Sequence, residues 1–261
     1  MKNNATKINI SIILYLCMIA TNTLAAFGFI NGMSQREVSA KYHTLITPAG
    51  FTFSIWGVIY LLLFIALLTA RMKLNEDYYK KFIEKTSLWF WLSCIANILW
   101  NIAFSYEQIL LSFLLILLIL VSLSMVLRDL LKIRQKGKII APLSFAIYGG
   151  WILIASFVNF YAFLVSLGEM KPDLQGSAEI YLSYALIIGV LFLVIFLVLM
   201  TKNAALTLPV IWALFGIFSK LRSVQDGSGL TNLMLIGIAL LAVITVARFL
   251  KNDKCILPKY S

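Results

Sequence analysis

The chain has 261 residues, of which 61% are hydrophobic and only 13% are charged, and its mean hydropathy is +0.93. Soluble domains contain about 25% charged residues, so this composition excludes an ordinary soluble protein. The formal net charge of +11 would suit nucleic acid as a partner. The basic residues, however, concentrate between long apolar runs, and we therefore expect no nucleic acid and a lipid bilayer instead.

Apolar runs long enough to cross about 30 Å of hydrocarbon as helices occur eight times along the chain. Alternating strand patterns are absent from the sequence, so we expect an all-α fold, a polytopic membrane helix bundle, rather than a barrel. The seventh run is short and contains Pro209, which makes it the weakest of the eight. The predicted spans are 8–30, 50–70, 86–106, 109–127, 143–166, 180–200, 203–219 and 230–249.

Lysine and arginine are distributed unequally between the two sides of these spans. Counting Arg248 with the C-terminal segment, 17 of them lie in odd-numbered segments outside the spans and 5 in even-numbered ones. The positive-inside rule then predicts a multi-pass protein of the cell membrane with both termini in the cytoplasm. The first span, although preceded by Lys2 and Lys7, is longer than a typical signal peptide core, and we expect it to be retained.

The sequence contains little that resembles catalytic machinery. No predicted span has an acidic or basic residue in its middle, and Glu107 falls at the tight turn between the third and fourth spans. Ion pumps typically contain charged residues in the middle of their spans, so the sequence disfavours an ion pump. Cys17, Cys94, Cys255 and the single histidine, His43, form neither a disulfide framework nor a metal-ligand spacing. We therefore expect no catalytic residues, no metal and no required cofactor.

The second span begins with an unusual motif. Residues 46–60 read ITPAGFTFSIWGVIY, in which a turn leads directly into an aromatic-rich apolar helix. Phe53, Trp56 and Tyr60 follow one another at spacings of three and four, which places their rings on one helical face. These rings either pack against other helices or face a ligand.

The segment before this motif is the longest predicted external connection, residues 31–49. Tyr42, His43 and Pro48, together with Gly50 at the start of the motif, would form a lid over a pocket that opens outward. A single histidine is usually a surface residue, so metal or haem ligation by His43 is the lesser interpretation.

The third span contains two asparagines, Asn97 and Asn101, which recur with Trp100 and Phe104 at intervals of three and four. An amide without a partner in hydrocarbon costs several kcal/mol, so both asparagines should face the protein interior. There they either form hydrogen bonds to other helices or line a polar pocket.

The fifth span repeats the pattern, since Tyr148, Trp151, Ala155 and Asn159 mark one face, and Gly149 and Gly150 permit close helix approach. Three helices thus present tryptophan with small or polar residues on single faces. Together they indicate a shared aromatic-walled cavity, which would suit a flat aromatic ligand.

These three motifs resemble a known family. The stretch from Pro48 to Tyr60, the third-span run NILWNIAFSY and the fifth-span run WILIASFVNF resemble the second, third and fifth helices of the TspO/MBR family of tryptophan-rich sensory or translocator proteins. The resemblance implies a TspO-like five-helix membrane core over residues 1–168. Residues 169–261 would then add three transmembrane helices and a cytoplasmic tail, as in a longer subgroup with the pattern WALFGI.

The resemblance also implies a function. Family members bind porphyrins and other hydrophobic ligands below the loop between their first two helices. Some bacterial members have a tryptophan where this chain has Phe160, and that tryptophan takes part in porphyrin breakdown. A phenyl ring is not readily oxidised, so the sequence favours binding over catalysis without deciding whether the protein is an enzyme.

We therefore expect a membrane receptor or carrier for a flat hydrophobic small molecule, with porphyrin or haem as the candidate ligand. A small-solute permease that uses all eight helices and a porphyrin-degrading enzyme are the alternatives, and a homodimer stays open. The expected ligand-binding residues are Phe53, Trp56, Tyr60, Asn97, Trp100, Asn101, Phe104, Trp151 and Asn159, and the expected lid residues are Tyr42, His43, Pro48 and Gly50.

Overall fold

The structure is a computed structural model that describes residues 2–168, 177–224 and 229–259. Within these ranges the chain forms nine α-helices, two short 3-10 helices (Gly50–Ser54 and Ala204–Leu206) and no strand, which confirms the all-α fold class. The α-helices are α1 (Lys2–Ala26), α2 (Gln35–Lys41), α3 (Ile55–Met72), α4 (Asp77–Ser105), α5 (Ile109–Lys132), α6 (Ile140–Ser166), α7 (Ser177–Thr201), α8 (Thr207–Ser223) and α9 (Leu230–Lys251).

Every described α-helix except α2 gives a segment long and apolar enough to cross a membrane. The eight spans predicted from the sequence are therefore confirmed within the described residues. The second and seventh of these segments each begin with a 3-10 turn, at Gly50 and at Ala204, before the α-helix starts. Phe53 consequently lies in a 3-10 turn and not in the α-helix that contains Trp56 and Tyr60.

The first helix ends four residues earlier than predicted, at Ala26 instead of residue 30. Gly28 adopts a left-handed conformation with φ 75°, its N–H donates to Ala25 O, and the Phe29 N–H donates to Leu24 O. This is a Schellman cap, which satisfies the last carbonyls of a helix and reverses the chain. Hydropathy alone missed the end because the residues after the cap are still apolar.

The helix α4 begins at Asp77, nine residues before the predicted span. Lys80, Lys81 and Lys85, which the sequence reading placed in a connecting segment, are therefore helical. Lys81 Nζ lies 2.8 Å from Asp77 Oδ2, one turn earlier. Charged residues at such spacing are compatible with a helix that extends beyond the apolar region.

The weakest predicted span, the seventh, is helical in the structure. Its proline, Pro209, is the third residue of α8. N–H groups in the first turn of a helix have no intrahelical acceptor, so the proline removes no hydrogen bond there. The Asn203 side chain caps the preceding 3-10 turn by accepting from Ala205 N at 3.1 Å.

Packing divides the chain into two units. The first unit consists of the residues up to Gln35 together with Trp56–Gly149, and the second consists of Arg36–Ile55 together with Gly150–Lys259. The predicted domain division at residue 168 follows a different criterion, the family resemblance, and stays a prediction.

In the first unit, α4 packs against α1 and α5. The contacts combine aromatic packing with hydrogen bonds between helices. Phe90 of α4 also meets Phe145 of α6 edge to face at 5.5 Å, and Trp91 Nε1 of α4 donates to Ser11 Oγ of α1 at 2.8 Å. The turn from α4 to α5 is a second Schellman cap, with Glu107 in the left-handed region at φ 57°, which confirms the predicted tight turn.

In the second unit, α8 packs against α9 and against the 3-10 turn Gly50–Ser54, and α7 packs against α9. The core is aliphatic. Gly237 in α9 lets the side chains of Leu191 and Leu214 approach, since a Cβ there would lie 3.2 to 3.3 Å from their methyl groups. Small residues at such crossings are typical of helices that associate in lipid.

Hydrogen bonds between connections agree with alternating crossings of a membrane. In the first unit, Lys138 before α6 binds Glu76 before α4. In the second unit, Asn252 Nδ2 after α9 donates to Lys202 O after α7 at 2.8 Å. Each pair joins two connections that the sequence places on the same side. Which side is cytoplasmic stays a prediction.

Candidate functional site

Five buried polar side chains of the first unit form a hydrogen-bonded cluster that we call the amide network. Asn97 and Asn101 in α4 are completely buried. Asn97 Oδ1 accepts from Asn22 Nδ2 of α1 at 2.6 Å and from Asn101 Nδ2 at 3.1 Å. Asn97 Nδ2 donates to the Tyr148 hydroxyl of α6 at 3.0 Å, and Gln35 Nε2 donates to Asn101 Oδ1.

The amide network joins three helices and the start of α2. The two asparagines therefore form hydrogen bonds to other helices, which is the first of the two alternatives that the sequence left open. Asn22 and Gln35 were not identified from the sequence. Asn22 falls within the predicted first span, where a polar residue indicates a position that faces the protein interior. Gln35 lies in a connecting segment, where a glutamine gives no such indication.

Aromatic rings of the same unit form a group that we call the aromatic cluster, which shares Tyr148 with the amide network. Trp56 stacks on Tyr60 at 5.5 Å between ring centroids and meets Tyr148 edge to face at 5.9 Å. Trp56 also lies 6.5 Å from Trp100, which stacks on Phe104 at 5.3 Å. Four predicted ligand-binding aromatic residues are therefore together, and Tyr148 joins them.

The Tyr60 hydroxyl is a buried polar atom within the aromatic cluster. It is buried and has no hydrogen-bond partner among the described residues. The Tyr60 carbonyl, in contrast, accepts from the Tyr15 hydroxyl at 2.7 Å. A buried polar group without a partner costs about 1–3 kcal/mol. Such a group is a candidate for contact with a bound molecule.

The remaining predicted aromatic residues lie in the second unit. Phe53 and Trp151 meet edge to face at 6.4 Å. Asn159, which is buried, donates to Ala155 O of its own helix at 3.2 Å. The structure therefore brings Phe53 and Trp151 together and places Asn159 about two turns further along α6.

Helix α8 holds the start of the second span through contacts that we call the α8 clamp. Trp212 Nε1 donates to Thr52 O at 2.9 Å, and Ala49 N donates to Gly216 O at 3.1 Å. The Phe51 ring meets the Trp212 ring edge to face at 5.6 Å. The sequence pattern WALFGI thus contains the residues that fix the Pro-Ala-Gly turn.

Gly216 is necessary for this contact. A Cβ at Gly216 would lie 2.0 Å from Thr52 Oγ1 and 2.9 Å from Thr52 Cγ2, and Thr52 is completely buried. Sequence reasoning identified the pattern but not its partner, because a close approach between distant segments leaves no periodic signal.

A pocket of about 280 Å³ opens beside the predicted lid segment in the second unit, and we call it the lid pocket. It contains four of the predicted site residues, namely His43, Pro48, Gly50 and Phe53. It also contains two cations that the sequence analysis did not assign to a site. The lining residues are Arg36, Ser39, Ala40, His43, Thr47, Pro48, Ala49, Gly50, Phe53 and Lys220.

The long apolar helices, the buried amide network and the aromatic cluster define the class of protein, a multi-pass helical membrane protein with a polar and aromatic interior. The family model of TSPO-like proteins matches residues 8–247, and the chain belongs to this family. The match confirms the resemblance seen in the sequence and reaches into the last span. No curated protein and no solved structure matches the chain.

Proposed function

We propose that this membrane protein is a receptor or carrier for a flat hydrophobic ligand of the tetrapyrrole type, held by the aromatic cluster. Membership in the TSPO-like family supports this proposal, because the family resemblance implies porphyrin binding. The observation that supports it most directly is the buried Tyr60 hydroxyl, which has no partner among the described residues and lies within a group of stacked rings.

The physical basis is aromatic stacking with apolar burial. Trp56, Trp100 and Tyr60 offer ring faces, and each favourable aromatic pair contributes about 0.5–1.5 kcal/mol beyond burial of its area. The rings contact one another in the structure, so a ligand that enters must replace ring-to-ring contacts with ring-to-ligand contacts. A ligand acceptor opposite the Tyr60 hydroxyl would supply its missing hydrogen bond.

Binding without degradation is the form of the proposal that the residues favour. Phe160 stands where some bacterial relatives have an oxidisable tryptophan. The ligand is then the hydrophobic small molecule itself, and no further cofactor is required. Sensing and transport are both compatible with reversible binding in a bilayer, and the cell membrane with cytoplasmic termini stays the expected location.

The test is a titration of the full chain in lipid nanodiscs with an iron-free porphyrin, followed by quenching of tryptophan fluorescence. We expect saturable quenching. Trp56→Leu removes a stacking surface and should weaken binding about 2- to 12-fold. Tyr60→Phe keeps the ring and removes only the hydroxyl, which should weaken binding by a similar factor of about 2 to 12.

The proposal also predicts the thermal stability of Tyr60→Phe. Because the hydroxyl has no hydrogen-bond partner among the described residues, its removal should leave the unfolding temperature unchanged or raise it. Tyr15→Phe is the matched control, since it removes a hydroxyl that is already bonded. This variant should lower stability and leave porphyrin affinity unchanged. Equal affinity in wild type, Trp56→Leu and Tyr60→Phe would contradict the proposal, and light-dependent loss of porphyrin absorbance would favour an enzyme.

A further inference from the structure

We infer that the lid pocket is a binding site for a small organic anion, a carboxylate or phosphate group attached to an apolar body. Two cations, Arg36 of α2 and Lys220 of α8, border the pocket together with His43, and its lining contains no acidic residue. No residue of the aromatic cluster borders this pocket, so the inference does not depend on the proposed tetrapyrrole site.

The pocket has one charged side and one apolar side. Arg36, His43 and Lys220 are exposed, so an anion can reach them from water. Pro48, Ala49 and the half-buried Phe53 provide apolar surface. A volume of about 280 Å³ is close to the lower end of the ~300–1,000 Å³ found for small-molecule sites. The ligand is therefore small, with one or two rings.

Arg36 is positioned by the turn at Gly50. A Cβ at Gly50 would lie 2.7 Å from Arg36 Cδ and 2.8 Å from Nε. The arginine side chain therefore lies directly against the glycine backbone, and a Cβ at this position would require it to move. The guanidinium fork can then bind both oxygens of a carboxylate or phosphate, which is the geometry that arginine favours.

Lys220 is positioned by the α8 clamp. It follows Gly216 by four residues, and residues four apart share one face of a helix. The Gly216 carbonyl accepts from Ala49 N at 3.1 Å, so the same face that contacts the turn also directs Lys220 to the pocket. The helix beyond the five-helix core thus supplies one of the two cations.

Carboxylate and phosphate groups could arrive on a free solute or on a lipid headgroup, and the experiment separates these sources. The full chain, purified in dodecyl maltoside, is titrated by calorimetry with 2-naphthoate and with the neutral 2-naphthamide. We expect naphthoate to bind at least about tenfold more tightly. Native mass spectrometry of the same protein with phosphatidylglycerol and phosphatidylcholine forms the lipid arm.

Arg36→Gln and Lys220→Gln should each weaken naphthoate binding about 3- to 10-fold, because both cations are exposed and their interactions are partly screened. Arg222→Gln is the matched control, since it removes the same charge from the same end of α8 without bordering the pocket. Tyr60→Phe should leave naphthoate affinity unchanged, which keeps this test separate from that of the tetrapyrrole site.

Naphthoate binding that depends on Arg36 and Lys220 identifies a free solute as the source. Phosphatidylglycerol binding that depends on the same residues, and that naphthoate fails to match, identifies a lipid headgroup. Equal binding of naphthoate and naphthamide, or equal losses in Arg222→Gln and Arg36→Gln, would overturn the inference. So would the absence of any binding of either anion that depends on the two cations.

Discussion

The two units of the molecule fix their helices by opposite means. In the first unit, Asn97 and Asn101 form hydrogen bonds with partners on other segments, and the amide network is deeply buried. In the second unit, glycines bring segments into close contact. Gly216 lies against Thr52, and a Cβ at Gly150 would lie only 2.4 Å from the Leu206 carbonyl oxygen.

This difference determines which substitutions each unit tolerates. The amide network depends on the presence of every partner, because a buried amide that loses its partner stays desolvated. The glycine contacts depend on the absence of atoms, because packed interiors have no space for an added methyl group. Removal of a polar group should therefore damage the first unit, and addition of a methyl group should damage the second.

The largest effect is expected for Gly216→Ala. The new Cβ would overlap the buried Thr52 side chain. We therefore expect a loss of stability at the upper end of the ~1–3 kcal/mol that overpacking costs. The α8 clamp should loosen, and naphthoate binding at the lid pocket should weaken with it. Thermal unfolding in detergent measures the first effect and calorimetry the second.

Two variants sharpen this prediction. Thr52→Ala removes the atoms nearest the new methyl group, so the double variant should recover most of the lost stability. Gly57→Ala is the control, since a Cβ at Gly57 meets no atom within 4 Å. It should be neutral or stabilising, because alanine favours helix over glycine by about 1 kcal/mol. Equal losses at positions 57 and 216 would refute the steric explanation.

The sequence predicted the eight spans because hydropathy and length report directly on crossing a membrane. It did not predict the helix ends, since these depend on local hydrogen bonding. Gly28 ends α1 within an apolar run, and α4 begins at Asp77 within a charged segment. Hydropathy stays high past the end of α1 and stays low over the first turns of α4, so neither helix end coincides with a change in hydropathy.

The candidate site was predictable to a similar degree. Asn97 and Asn101 were recognised because an amide in hydrocarbon needs an explanation. Trp212 and Lys220 were not assigned to a site, because their importance depends on contact between α8 and a segment some 160 residues earlier. Periodicity describes one helix at a time and contains no information on such contacts.

An intermediate effect is expected for Asn97→Leu. The substitution removes three side-chain hydrogen bonds, to Asn22, Asn101 and Tyr148. At about 0.6 kcal/mol for each hydrogen bond in a membrane interior, the loss is about 2 kcal/mol. Thermal unfolding should show it, whereas porphyrin affinity of the folded protein should change little, because the amide already has partners within the protein.

A double-mutant cycle tests the network directly. Asn22→Leu combined with Asn97→Leu replaces both members of one hydrogen bond with apolar groups, which is less harmful than leaving one member unpaired. The double variant should therefore be less destabilised than the sum of the two single variants. Strict additivity would show that the two side chains act independently and would remove the basis for contrasting the units.

The smallest effect is expected at the surface of the first unit, where Lys138 donates a hydrogen bond to Glu76. This hydrogen bond is the main reason that the pKa of Glu76 lies below its ordinary value and the pKa of Lys138 above its own. A glutamate pKa that is lowered in the folded state stabilises the fold at pH values above the unfolded-state pKa of about 4.3. This contribution is lost as the pH falls through the folded-state pKa. A lysine pKa that is raised in the folded state stabilises the fold at pH values below the unfolded-state pKa of about 10.4. That contribution is lost as the pH rises through the folded-state pKa.

Glu76→Gln should therefore reduce the loss of stability that wild type shows between about pH 5 and about pH 3. The measurement is the unfolding temperature in a non-ionic detergent across this range, at low and high salt, because added salt screens an exposed pair and should shrink the difference. Glu84→Gln, which removes an exposed carboxylate from α4, the helix that follows Glu76, is the control for the change in net charge. If both variants flatten the acid limb equally, the pH dependence reflects net charge, and the connections of the first unit are not held together by this pair.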